Sequence, residues 1–502
     1  MFMSPETALL TGIFAPLVVA LLTPFLAVRN NWRDVAGPIG GVITFIAALH
    51  VANDVLAGGT PSWTAAEIAP GIELGFSVTA LGAIFGLVAS GLWVLAAIYS
   101  VGYMRGNHEK HQTRFAAFYA VAVHAAMAIA WSGNLLVLFI FYEILTFCTF
   151  PLVAHKESKA AREAGRLYLS ILVGTSVVLL LPAVIYVWVM TGRLDFIPGG
   201  ILAGTISPEV APWLLAAFAF GVGKAAIMPL HRWLPAAMVA PTPVSALLHA
   251  VAVVKAGVFT LLMVSVYIFG IDYLADTGAS VWLVWATCFT ILASSCVAIT
   301  KDDLKARLAY STISQLSYIV LGAALASSMA VQGAALHIVM HAAGKITLFF
   351  CAGAIYVNAH VKKISELDGL GKRLPHVFIA FFIASEIIDT GKPVIFISIC
   401  KAVIPFSVPA TLKSISPRKS SIPCISVRIL TSLPSFIRPI AVPPTGAFKG
   451  TPASNNERVL PHTDPIEVEP FELSTSLTTL RTYGNDSFPG RTGIIALSAN
   501  AP

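Results

Sequence analysis

The sequence predicts an all-α polytopic membrane protein, and three observations carry that prediction. Hydrophobic residues make up 57% of the 502 residues against 11% charged, and the mean hydropathy is +0.80, far above that of a soluble globular chain. Residues 1–385 divide into eleven apolar stretches, each long enough to cross roughly 30 Å of hydrocarbon at about 1.5 Å per residue. The basic residues between these stretches fall almost wholly into alternate loops.

The stretches run in order over 6–28, 35–57, 76–101, 115–132, 134–154, 167–191, 210–230, 242–269, 280–300, 309–327 and 330–358. Met1 to Glu6 contains no basic residue, so the first stretch is expected to act as its own insertion signal. Pro229, with flanking glycines, is expected to interrupt the seventh stretch, freeing carbonyls and admitting water. Pro241, Thr242 and Pro243 introduce the eighth. A twelfth stretch begins at Val377 and loses its apolar character after Ser385.

Loop charge tests this division independently. The odd-numbered loops hold seventeen Lys and Arg residues, whereas the even-numbered loops hold Arg193 alone among acidic residues such as Glu67, Glu73 and Asp272. The positive-inside rule produces this alternation when every span is counted, and it places the amino terminus outside. The same loop residues explain the net charge of +7, so no nucleic-acid partner is needed to account for it.

Four charged side chains interrupt the apolar spans: Glu143, Lys224, Lys255 and Lys345. Each costs about 2.5–3.5 kcal/mol at the centre of a membrane helix, and the four together on the order of 10 kcal/mol. Packing alone gives no return for that cost, and the set points to a charge or proton pathway. His337, His341 and Lys345 are spaced i, i+4, i+8 and share one helix face. His249 precedes Lys255 on the eighth span. Blander roles compete: a single intramembrane lysine can be a packing ion pair, and His124 or His249 can be a satisfied packing histidine. The i, i+4 histidines have a metal-ligand spacing but no evident third ligand, so no metal is assigned.

The six cysteines show no C-x-x-C pairing, and no haem, iron–sulfur, dinucleotide or phosphate-loop motif is present. No cofactor is therefore expected, and any coupled electron transfer belongs to other subunits. Beyond residue 385 the composition changes: fifteen prolines fall in the last 117 residues against sixteen in the first 385. Residues 386–502 read as a Ser/Pro-rich non-membrane tail, disordered or non-native as after a frameshift.

From about Phe115 to Ser385 the chain resembles the antiporter-like membrane subunits shared by respiratory complex I and the multisubunit (Mrp-type) cation/proton antiporters. The motifs are Phe141–Thr146 (FYEILT), Gly223–Pro235 (GKAAIMPLHRWLP), Ala240–His249 (APTPVSALLH), Asp303–Ser317 (DLKARLAYSTISQLS) and His337–Gly353. Among family members the likeness is nearest to the D-type antiporter protein. It implies two inverted five-helix repeats, each with one broken helix. On that scheme 1–114 holds three preceding helices, 115–269 is a complete first repeat with a broken seventh helix, and 280–385 an incomplete second repeat. Glu143 and Lys224 then correspond to the family's charge pair, Lys255 with His249 to the link between half-channels, and His337, His341 and Lys345 to its polar eleventh helix. The missing end of the second repeat leaves the outward path incomplete.

The resemblance implies a proton-translocating subunit of a monovalent cation (Na+)/H+ antiporter in a bacterial inner membrane, with other membrane subunits as partners. Two further readings stand beside it: a membrane-arm subunit of NADH:quinone oxidoreductase, and a truncated, inactive structural subunit.

Overall fold

The computed structural model describes residues 3–390 and is helical throughout, apart from one hairpin and the connecting loops. Helices α1 (Pro5–Leu26), α2 (Asn30–Leu56), α3 (Ala80–Gly106), α4 (Gln112–Ala130) and α5 (Leu135–Val153) come first. They are followed by α6 (Lys159–Thr191), α7 (Ala211–Gly221), α8 (Thr242–Phe269) and α9 (Val281–Thr300). The series closes with α10 (Leu304–Ala324), α11 (Ser328–Ala359) and α12 (Pro375–Thr390). Among the described residues, nine of these helices are long and apolar enough to cross a membrane. An all-α polytopic architecture is thus the observed one. The tail read over 386–502 lies, from residue 391 onward, outside the described residues.

Polar caps set several boundaries outside the apolar stretches. The Ser158 hydroxyl accepts from Ala161 N at 3.2 Å, starting α6 within the basic loop. Asp303 Oδ1 accepts from Ala306 N at 2.8 Å and starts α10 in the same way. Hydropathy locates the span, whereas the cap locates the first turn, because the first amides of a helix have no intrahelical acceptor.

The segment ahead of α3 departs from the expected loop. Strands β1 (Ser62–Ala69) and β2 (Ile72–Ser77) form an antiparallel hairpin in which Trp63 pairs with Phe76 and their rings stack 6.3 Å apart. Its free edge pairs with the α4–α5 connection, through Ser77 N to Trp131 O at 2.9 Å and Gly133 N to Gly75 O at 3.0 Å. Asn134 joins hairpin to helix: its Nδ2 donates to Glu73 O at 2.6 Å, and its Oδ1 accepts from Val137 N at 3.0 Å. The hairpin thereby fixes where α5 begins, and with it the level of every polar residue α5 carries.

Helix α8 is the centre of the bundle. Of its most apolar window 94% is buried, against 78% for α11 and 33% for α9, so α8 is enclosed on all sides while α9 presents a face to the surroundings. It packs against α10, against α11 and against the chain that follows α7.

Candidate functional site

Helix α7 stops at Gly221, and Val222 leaves the helical region at φ −81°, ψ 64°. A single 3-10 turn, Gly223–Ala225, is followed by Ala226 in the left-handed region (φ 56°) and by a cis Met228–Pro229 bond. The break therefore begins ahead of Pro229, where the sequence placed it. Trp233 Nε1 donates to Gly223 O at 3.0 Å and supplies a partner for one released carbonyl. On the other side α8 presses directly on the turn: a Cβ added at Gly257 would lie 2.5 Å from both Lys224 C and Ala225 N. A side chain there would displace the turn.

Lys224 is fully buried. Its Nζ donates to Tyr142 O at 2.7 Å and to Thr146 Oγ1 at 2.6 Å, and lies 3.0 Å from the centroid of the Tyr142 ring. The Tyr142 hydroxyl in turn accepts from Lys224 N at 3.1 Å. The contact expected between Lys224 and Glu143 is not formed: none of the ion pairs found among the described residues joins them. Both Glu143 oxygens are buried with no hydrogen-bond partner. Residues 142 and 146 share a face of α5, whereas 143 is turned about 100° around the axis.

Lys255, also fully buried, lies on α8 two positions before Gly257, so the Lys224 turn and Lys255 meet on the same stretch of helix. Its partner is not His249 beside it in sequence but His341 on α11, with Nζ and Nδ1 2.6 Å apart. A lysine donating to Nδ1 requires that nitrogen to be unprotonated, which puts the imidazole hydrogen on Nε2, and His341 Nε2 is buried without a partner. The His337 and His341 rings are nearly parallel (7°), with centroids 6.2 Å apart. One turn further along α11, buried Lys345 donates to Ser311 Oγ on α10 at 2.8 Å. His249 sits on a π-helical segment of α8, Leu247–Val251; neither ring nitrogen has a partner, and the ring packs 4.7 Å from that of Phe349. His124 proves to be a packing residue, its Nδ1 2.8 Å from Ile13 O.

The residues singled out from sequence thus lie on adjoining elements: Lys224 on its turn against α8, Lys255 and His249 on α8, His337, His341 and Lys345 on α11, and Glu143 on α5. Sequence reasoning missed Tyr142, Thr146 and Ser311, whose hydroxyl, ring and carbonyl groups carry no hydropathy signal. It also missed a polar collar at the loop end of α5. There Arg114 Nη1 pairs with Glu157 Oε1 at 2.6 Å and holds that carboxyl below the usual range. His155 is buried behind them against Phe115, and burial lowers its pKa.

Chemically, Lys224 and Lys255 are amines removed from water and held by neutral acceptors. Neutral acceptors leave an amine free to take up or give away a proton, whereas a carboxylate in contact would pin it in the charged form.

The family model described as the membrane region of NADH:quinone oxidoreductase and Mrp antiporters matches residues 132–403, more than half of the chain. A second, described as the amino terminus of complex I NADH-ubiquinone oxidoreductase chain 5, matches residues 66–116. NAD(P)H-quinone oxidoreductase chain 5 of Synechocystis is 30% identical over 335 residues, covering 62% of this chain and 47% of its own length. The A/B protein of a probable K(+)/H(+) antiporter of Rhizobium meliloti is 35% identical over 296 residues, covering 58% of this chain and 29% of its own. These relatives are of the chain 5 and A/B kinds rather than the D type, and the chain spans about half of their length or less. Among solved structures, a chain of the membrane-bound sulfane sulfur reductase, an archaeal respiratory membrane complex, superimposes with a TM-score of 0.68 at 23% identity. That match covers 80% of this chain and 81% of the other, and carries the fold alone. On the extent of the family match, the chain belongs to the NADH:quinone oxidoreductase/Mrp antiporter membrane family.

Proposed function

We propose that the chain is a proton-translocating subunit of a multisubunit monovalent cation/H+ antiporter, exchanging protons for Na+ or a similar ion. The observation that carries this reading is the set of buried amines Lys224, Lys255 and Lys345 on adjoining elements, with His341 in contact with Lys255. A proton moves through such a set by successive occupation of amine and imidazole sites. Glu143, His249 and His337 lie within the same enclosed region and complete the relay. Its partners are other membrane subunits of the same complex, and its setting is a bacterial inner membrane. The match of residues 66–116 to complex I chain 5 favours a second reading, in which quinone chemistry in neighbouring subunits drives the same relay.

Lys224→Ala is expected to abolish coupled proton movement while leaving insertion intact. The measurement is dye dequenching in inverted vesicles containing the assembled complex. Wild-type activity in that variant would overturn the relay. Dissipation of a pH gradient by added Na+ supports antiport, and a gradient formed on adding NADH supports the second reading.

The orientation is testable by itself. Cysteines introduced at Thr64 and Ala160 should respectively react and not react with an impermeant reagent on intact cells, since the basic α5–α6 loop is placed inside. The reverse pattern would put the amino terminus in the cytoplasm.

A further inference from the structure

We propose that Tyr142 and Thr146 are positioning residues that seat the Lys224 amine on α5, apart from Glu143, in a position from which it can exchange its proton. This rests on the relay reading above and names two residues that reading does not require.

The seat is built from one helix face. Thr146 Oγ1 donates to Tyr142 O at 3.1 Å, which fixes its hydrogen and turns its lone pairs toward the amine 2.6 Å away. Tyr142 O also accepts from the same amine, at 2.7 Å. The Tyr142 ring closes the seat at 3.0 Å, within cation–π range. Its hydroxyl holds the backbone of the same lysine, so one side chain fixes both ends of Lys224. Tyr142 and Thr146 are both fully buried.

Every member of the seat is neutral. The amine is held by dipoles and a ring quadrupole, while the nearby carboxylate keeps both oxygens without hydrogen-bond partners. A contact ion pair would couple the two groups and hold the lysine charged. The broken backbone after Gly221 makes the seat reachable, since a continued helix would not present Lys224 on a 3-10 turn facing Tyr142.

The test compares Thr146→Val with Thr146→Ser in inverted vesicles containing the assembled complex, with Lys224→Ala alongside. Valine keeps the shape and removes the hydroxyl, so proton movement should fall about tenfold, on the scale of one hydrogen bond to a charged group. Serine restores the hydroxyl and should return the rate to near wild type, which a purely packing role for the threonine methyl does not predict. Thr146→Ala carries the same expectation if the valine variant fails to accumulate. Tyr142→Phe retains the ring and the carbonyl and should lose less than Tyr142→Leu. Wild-type rates in Thr146→Val, or a serine variant as impaired as the valine one, would overturn the seat while leaving the relay intact if Lys224→Ala is inactive. Transport by Lys224→Ala overturns both.

Discussion

The two ends of the buried set solve the same problem by different means. At Lys224 the acceptors come largely from main chain and ring: a peptide carbonyl, an aromatic face and one hydroxyl, reached because α7 breaks. At Lys255 and Lys345 the short contacts are to an imidazole and a serine hydroxyl on facing helices, α11 and α10, and Lys345 also reaches Leu308 O at 3.4 Å. The break in α7 brings the Lys224 amine onto a carbonyl inside intact α5, whereas at Lys255 and Lys345 a side chain of the facing helix supplies the short contact. The first arrangement therefore depends on backbone geometry and the second on side-chain identity.

The largest effect that would sharpen this contrast falls on the side-chain end. His341→Leu leaves Lys255 without its acceptor and should cost about 3 kcal/mol, the upper part of the range for a buried unpartnered polar group. Thermal unfolding of the purified protein in detergent measures it. The double variant Lys255→Met with His341→Leu removes both partners and should recover most of the stability without recovering transport. A double variant as unstable as the single would show that the histidine acts through packing.

At the backbone end the sensitive position is a glycine. Gly257→Ala should cost about 2 kcal/mol by overpacking and impair transport, because its Cβ would meet the main chain of the Lys224 turn. The smallest effect is expected on α11 at Gly333, where an added Cβ meets nothing within 4 Å. Gly333→Ala should raise stability by about 0.5–1 kcal/mol, the helix-propensity gain of alanine over glycine, and leave transport unchanged. Equal responses at the two glycines would mean that the Lys224 turn yields to α8 and is not held by it.

Much of the fold was legible in the residues themselves. Each span read from hydropathy has a helix in the structure, and two of the displaced boundaries, at Lys159 and Leu304, trace to caps lying in polar loops. The hairpin before α3 was not legible. Its strands alternate weakly, and its pairing depends on the α4–α5 connection, which is distant in sequence. In the site, the residues were identified but their pairings were not. Lys255 was read with its sequence neighbour His249, and Lys224 with Glu143, whereas the structure joins them to His341 and to Tyr142 with Thr146.

The sequence by itself determined the membrane class, the order of the spans, the shared face of His337, His341 and Lys345, and the presence of charges that hydrocarbon disfavours. These are local properties: transfer free energy depends on composition within one window, and a helix face on a period of about 3.6 residues. Only the tertiary structure decided that α8 is the enclosed helix, that α7 ends at Gly221, and which acceptor each buried amine finds. Those outcomes depend on how neighbouring helices approach, at Gly257 to within contact of another backbone, and no spacing along the chain encodes a distance across it.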